Sequence, residues 1–93
     1  MIVIRNCFVA KPGQASKLAA QLKEAAGVMG MNARVLTDLT GDFNRVVLEF
    51  EAQDFMEFER RTREYRTDEA FREKMKGYTD LWMTGHREIL QVS

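Results

Sequence analysis

A chain of 93 residues has room for one domain, 1–93, and excludes a second. Its apolar share of 45% is that of a globular protein and excludes a disordered one. Fourteen basic and fourteen acidic side chains cancel, so no long-range field draws in nucleic acid or an anionic membrane surface.

Residues 2–9 alternate and are rich in β-branched and aromatic types, which predicts a strand. Ile2, Ile4, Asn6 and Phe8 share one face; Val3, Arg5, Cys7 and Val9 share the other. Both faces are largely apolar, as in a strand covered on both sides. Lys11-Pro12-Gly13 ends the strand, and Pro12 can open a helix because the first helical residues have no intrahelical N–H partner. Ala15, Leu18, Ala19, Leu22, Ala25, Ala26 and Met29 then recur at helical spacing, and Gly27 and Gly30 supply the stop. Residues 33–40 predict a second strand, with Val35, Thr37 and Leu39 on one face. Thr40-Gly41-Asp42 is a turn signal, and residues 44–51 predict a third strand that completes a hairpin. From 53 to about 83 the pattern is helical in two or three segments. Phe55, Phe58, Thr62 and Tyr65 share one row; Phe71, Met75, Tyr78 and Trp82 share another, with Asp68 as a cap between them. Gly77 and Gly85 predict breaks, and residues 86–92 the last strand.

The order β-α-β-β-α-β is that of an α+β, ferredoxin-like fold. Its four-stranded antiparallel sheet runs 4-1-3-2, with helices on one face. The first and third strands are then central and apolar on both sides, so the helix-free face needs a cover. A second copy, packed sheet to sheet as a homodimer, is the simplest one. Burying about 700 Å² of apolar surface per subunit would contribute on the order of 15 kcal/mol before association costs.

Three stretches carry a resemblance to a known superfamily. They are Asn6-Cys7-Phe8-Val9-Ala10-Lys11-Pro12-Gly13, Val46-Val47-Leu48-Glu49-Phe50-Glu51 and the closing Gly85-His86-Arg87-Glu88-Ile89-Leu90. In layout the chain resembles the dimeric α+β barrels, in particular NIPSNAP-like and antibiotic-biosynthesis-monooxygenase-like members. The resemblance implies a dimeric barrel. It spans cofactor-free quinone-forming oxygenases, haem-degrading monooxygenases, isomerases and many proteins without known activity. Haem-degrading members use an Asn on the first strand, a Trp on the second helical region and a His later on that region. Asn6 matches the first position and Phe58 lies about where the Trp is expected. The turn Phe71-Arg72-Glu73-Lys74-Met75-Lys76 holds no His, so haem degradation is not implied and no cofactor is expected.

Within the sequence, Asn6 and His86 are the candidate catalytic residues. Asn6 interrupts the apolar row Ile2, Ile4, Phe8; its amide can hold a substrate carbonyl or a developing oxyanion, or satisfy a backbone group. His86 is the only imidazole and can act as a general base, or sit at a strand end bonded to Glu88. Phe58, Tyr65, Tyr78 and Trp82 can line an aromatic-binding cleft, or simply fill the core. Arg5, Glu49 and Glu88 can form an ion-pair network where two sheets meet. One His and one Cys, far apart in sequence, make no zinc spacing, so no metal ligands are expected. Gly27 and Gly30 have no Gly-Lys-Ser/Thr after them, so they make no phosphate loop. The mixed-sign run Glu57–Glu64 is a solvated helix face rather than a nucleic-acid site. Arg5 and Asn6 interrupt the opening apolar run, so neither a signal peptide nor a membrane span is expected. The single Cys7 fits a reducing compartment, hence a cytoplasmic location.

Two functions follow. One is a cofactor-free monooxygenase-like enzyme acting on a small aromatic or polyketide-like molecule. The other is a non-catalytic ligand-binding or structural dimerisation domain. A cleft of roughly 300 Å³ or more reaching Asn6 and Trp82 separates a ligand site from a filled core.

Overall fold

The computed structural model describes residues 1–93. Strand β1 (Ile2–Ala10) leads to helix α1 (Ala15–Val28), then to strands β2 (Arg34–Thr37) and β3 (Arg45–Ala52). Helices α2 (Phe55–Thr67) and α3 (Glu69–Lys74) follow. A single 3-10 turn (Tyr78–Asp80) precedes strand β4 (Trp82–Gln91). The sheet is antiparallel in the order β2-β3-β1-β4, the ferredoxin-like arrangement expected. The apolar rows do what their spacing requires. Ile4 and Val46 from the sheet and Leu18 and Leu22 from α1 are completely buried where the helices cover one face.

The helix ends follow from local chemistry. Helix α1 begins at Ala15 rather than at Pro12, because Gly13 takes a φ of +81° and Lys11–Gln14 form a turn. It ends at Val28 and is closed by Gly30 (φ +63°), where the N–H of Met31 reaches the carbonyl of Ala26 and that of Gly30 the carbonyl of Gly27. Gly27 itself lies within the helix. Asp54 caps α2 through the N–H of Glu57 at 2.9 Å. Asp68 caps α3 through the N–H of Phe71 at 2.8 Å, as its place between the two rows suggests.

Two strand boundaries also differ by several residues from the sequence reading. Strand β2 stops at Thr37, because the Asp38 carboxylate takes the N–H of Arg45 at 2.9 Å and closes the ladder. Leu39 is therefore not on a strand face but fully exposed in the loop. Strand β4 begins at Trp82, not at His86, so Trp82 is a strand residue rather than a helical one. Gly77, in the left-handed region at φ +80°, ends the helical stretch. Gly85 does not break structure; it lies within β4 opposite Phe8. A β-carbon there would come within 2.7 Å of the Cys7 carbonyl oxygen. Gly85→Ala is expected to destabilise the fold by about 1–2 kcal/mol, since the clash is with backbone that cannot swing aside. A lower urea midpoint at unchanged slope is the measurement that checks it.

Candidate functional site

Strand alternation divides the sheet residues between two faces. The register pairs Asn6 with Leu48 and Arg87, and Phe8 with Val46 and Gly85; all of these face the helices. Cys7 pairs with Val47 and His86, and Arg5 with Glu49 and Glu88; these face away from the helices.

A cavity of about 410 Å³ lies on the helical side. Asn6, Phe8, Leu48 and Arg87 form its floor. Phe58, Tyr65, Phe71 and Met75 from the helices form its roof, and Tyr78 and Trp82 close one end. Five of the six residues singled out from the sequence (Asn6, Phe58, Tyr65, Tyr78 and Trp82) thus meet around one space. The aromatic rings form its walls rather than filling it. Phe8 leans on Trp82 with ring centres 5.4 Å apart and meets Tyr78 edge-on at 6.3 Å. Tyr65 stacks on Phe71 at 5.4 Å.

The sixth residue is elsewhere. His86 borders the cavity as well, from a strand position whose side chain belongs to the other face. Its imidazole turns to the opposite face, where Nε2 lies 3.7 Å from Glu88 Oε1. The imidazole and the Asn6 amide thus lie on opposite faces of the sheet. The reason is register: His86 lies one residue from Arg87, the residue that stands opposite Asn6.

In its place the structure brings up Arg87. Its Nε donates to Asn6 Oδ1 at 2.7 Å, and its guanidinium lies 5.3 Å from the centre of the Phe58 ring. The Asn6 carbonyl is thereby used, which leaves its amide hydrogens as donors. Arg66 also lines the space. Burial pushes the Tyr65 phenol up from its ordinary value, so it stays a neutral O–H donor near pH 7. The Trp82 indole Nε1 is buried without an acceptor. No Asp or Glu lines the cavity. The polar groups around it are thus mainly donors, and two of them carry fixed positive charge. Arg87 and Arg66 escaped the sequence reading because an arginine on a strand or helix reads as surface until its neighbours across the fold are known.

The opposite face carries the ion pairs suspected from the sequence. Glu49, nearly buried, holds Arg5 Nε at 2.7 Å with one carboxylate oxygen and Arg34 with the other. The hydrogen bond from Arg34, then that from Arg5, keeps its carboxyl below the ordinary carboxylate range. Glu88 instead accepts from the Cys7 thiol, 3.4 Å from Sγ. Burial, and next that hydrogen bond, push the thiol up from its ordinary value.

No protein-family model matches the sequence, and a search of the curated proteins found no match. Solved structures do match. An uncharacterized NIPSNAP domain protein from Burkholderia xenovorans superposes with a TM-score of 0.85 at 15% identity, over 100% of this chain and 95% of that one. A NIPSNAP family protein from Agrobacterium tumefaciens gives 0.85 at 13%, over 99% and 92%. A protein described as an antibiotic biosynthesis monooxygenase gives 0.73 at 12%, over 100% and 99%. At such identities the likeness is one of fold. It agrees with the layout resemblance read from the sequence.

Proposed function

We propose, from a fold shared with NIPSNAP and antibiotic-biosynthesis-monooxygenase structures, that this chain binds a small planar aromatic or polyketide-like molecule through an ionised or carbonyl oxygen. The observation that carries the reading is the aromatic-walled cavity of about 410 Å³ with Arg87 and Asn6 side by side on its floor. Phe8, Phe58 and Trp82 offer flat apolar surface to a ring. Arg87, held in place by Asn6, offers a positive charge to a phenolate or enolate oxygen, and the Asn6 amide offers a second donor. Such a site favours the deprotonated form of its ligand. A deprotonated, electron-rich ring reacts with dioxygen without a metal or organic cofactor, which supports cofactor-free monooxygenase-like chemistry. A non-catalytic ligand-binding role is favoured by a different observation: no carboxylate or imidazole side chain faces the cavity to serve as a base.

The single tryptophan is a built-in reporter, because it closes one end of the cavity. A hydroxynaphthoquinone titrated into the protein is expected to quench its fluorescence saturably. Arg87→Ala is expected to weaken binding by about tenfold or more, as the loss of one charge-assisted hydrogen bond does, and Asn6→Ala to weaken it less. Absence of saturable quenching, or equal affinity in both variants, would overturn the reading. Anthrone-dependent oxygen uptake that falls in the same variants would assign the enzyme; binding without uptake would assign the ligand-binding module.

The partner we propose is a second copy on the helix-free face of the sheet. No helix covers Val3, Val9, Val47, Leu36 and Leu90 there, and Leu36 and Leu90 stand exposed. The unpaired Cys7 supports a reducing, cytoplasmic setting. No helix is long and apolar enough to cross a membrane.

A further inference from the structure

We infer that Cys7, His86 and Glu88 form a zinc-class metal site on the helix-free face of the sheet, separate from the cavity. The three residues come together through pairing. Cys7 on β1 stands directly opposite His86 on β4, and Glu88 follows His86 by two residues on the same face. Two extended strands locked in register therefore carry all three side chains, and no loop has to move to bring them together. Cys7 Sγ, a ring nitrogen of His86 and a Glu88 carboxylate oxygen all lie within 4.8 Å of one another.

Two of the three separations are close to what a tetrahedral ion demands. Zinc bonds of about 2.3 Å to sulfur and about 2.0–2.2 Å to nitrogen and oxygen place ligand atoms roughly 3.4–3.6 Å apart. Sγ and Glu88 Oε1 are 3.4 Å apart, and His86 Nε2 and Glu88 Oε1 are 3.7 Å apart. The thiol proton that joins Sγ to the carboxylate stands where the cation would bond to both. On binding, that proton leaves to solvent, and thiolate and carboxylate together balance the two positive charges of the ion. The nearest fixed cation, Arg5, is turned to Glu49 at 2.7 Å, which limits its repulsion. A thiolate, an imidazole and one carboxylate form a soft-to-borderline set that suits zinc and not magnesium or calcium. Three protein ligands leave a fourth position for water. The imidazole is 69% exposed in the single chain; the second copy proposed above would cover this face, so the ion enters before the two copies pair.

Untagged protein, reduced and stripped with chelator, would be titrated with zinc against a chromogenic chelator and, separately, with cobalt. One zinc per chain is expected. Cobalt is expected to show a near-ultraviolet thiolate charge-transfer band together with the intense visible bands of a tetrahedral ion. Cys7→Ser should abolish the thiolate band. His86→Ala and Glu88→Gln should each weaken zinc binding by more than about a hundredfold, beyond the cost of losing a residue that only hydrogen-bonds to a ligand. Glu51→Gln, on the same face but outside the cluster, should bind as the parent does. Zinc should raise the thermal midpoint of the parent and not that of the three variants. No saturable binding at micromolar zinc, binding that survives Cys7→Ser, or a cobalt spectrum without the thiolate band would each overturn the site. The cobalt spectrum of the parent decides even where a variant fails to fold.

Discussion

A chain carrying Val47→Asp is expected to run as a monomer where the parent runs as a dimer, as read by native mass spectrometry. Val47 stands at the middle of the helix-free face, in register with Cys7 on β1 and Leu36 on β2. A sheet-to-sheet contact would bury that position, and a carboxylate there would be desolvated without a cation made for it. Such a buried, unpaired charge costs several kcal/mol. A two-fold contact carries each substitution twice, so the penalty doubles. Even about 3 kcal/mol in total lowers the association constant by more than a hundredfold. The cavity opens on the other side of the sheet, so hydroxynaphthoquinone quenching should persist in the variant. A parent that is monomeric at micromolar concentration would remove the proposed partner. A dimeric Val47→Asp would place the contact on another surface.

Glu49→Gln is expected to lower stability by about 2 kcal/mol at neutral pH, the scale of hydrogen bonds to a charged group. Glu49 is the only charged residue among the buried ones, 6% exposed, and both its oxygens are engaged by arginines. Glutamine keeps the shape but accepts through one oxygen and carries no charge. The figure is held down because Arg34 is largely exposed and is well solvated when released. The pH dependence has a definite sign. The Arg34 and Arg5 hydrogen bonds depress the folded carboxyl below its ordinary value, so the unfolded chain binds the proton more readily. The stabilisation is therefore complete above the unfolded pKa and is lost as pH falls through the folded one. Urea midpoints of parent and variant should differ by a constant amount from about pH 7 to about pH 5. They should converge in more acid solution, below the ordinary glutamate value near 4.3. A gap that stays constant down to about pH 2 would mean that Glu49 acts by packing and not by charge.

Much of the architecture was legible in the residues. Local periodicity carries the element order, because side chains alternate along a strand and repeat every 3.6 residues on a helix. The inner row Ile2, Ile4, Phe8 and the α1 row of Leu18 and Leu22 took the expected places in the core or packed against it. Asp68 between two helical rows signalled a cap, and the structure shows one. Trp82 was misread because Tyr78 and Trp82 are four apart, a helical spacing, while the left-handed Gly77 and one 3-10 turn separate them from α3. Leu39 was misread because its alternation continues past the point where Asp38 ends the ladder.

What the sequence by itself determined is which residues of one strand share a face, since that parity is set by covalent geometry within the strand. Asn6 with Phe8, Arg5 with Cys7, and His86 with Glu88 follow from it directly. Only the tertiary structure decided how the parity of β4 meets that of β1, because register between strands at opposite ends of a chain depends on the packed core and not on local sequence. That one-residue choice turns Arg87 toward Asn6 and the cavity. It turns His86 away, to stand opposite Cys7.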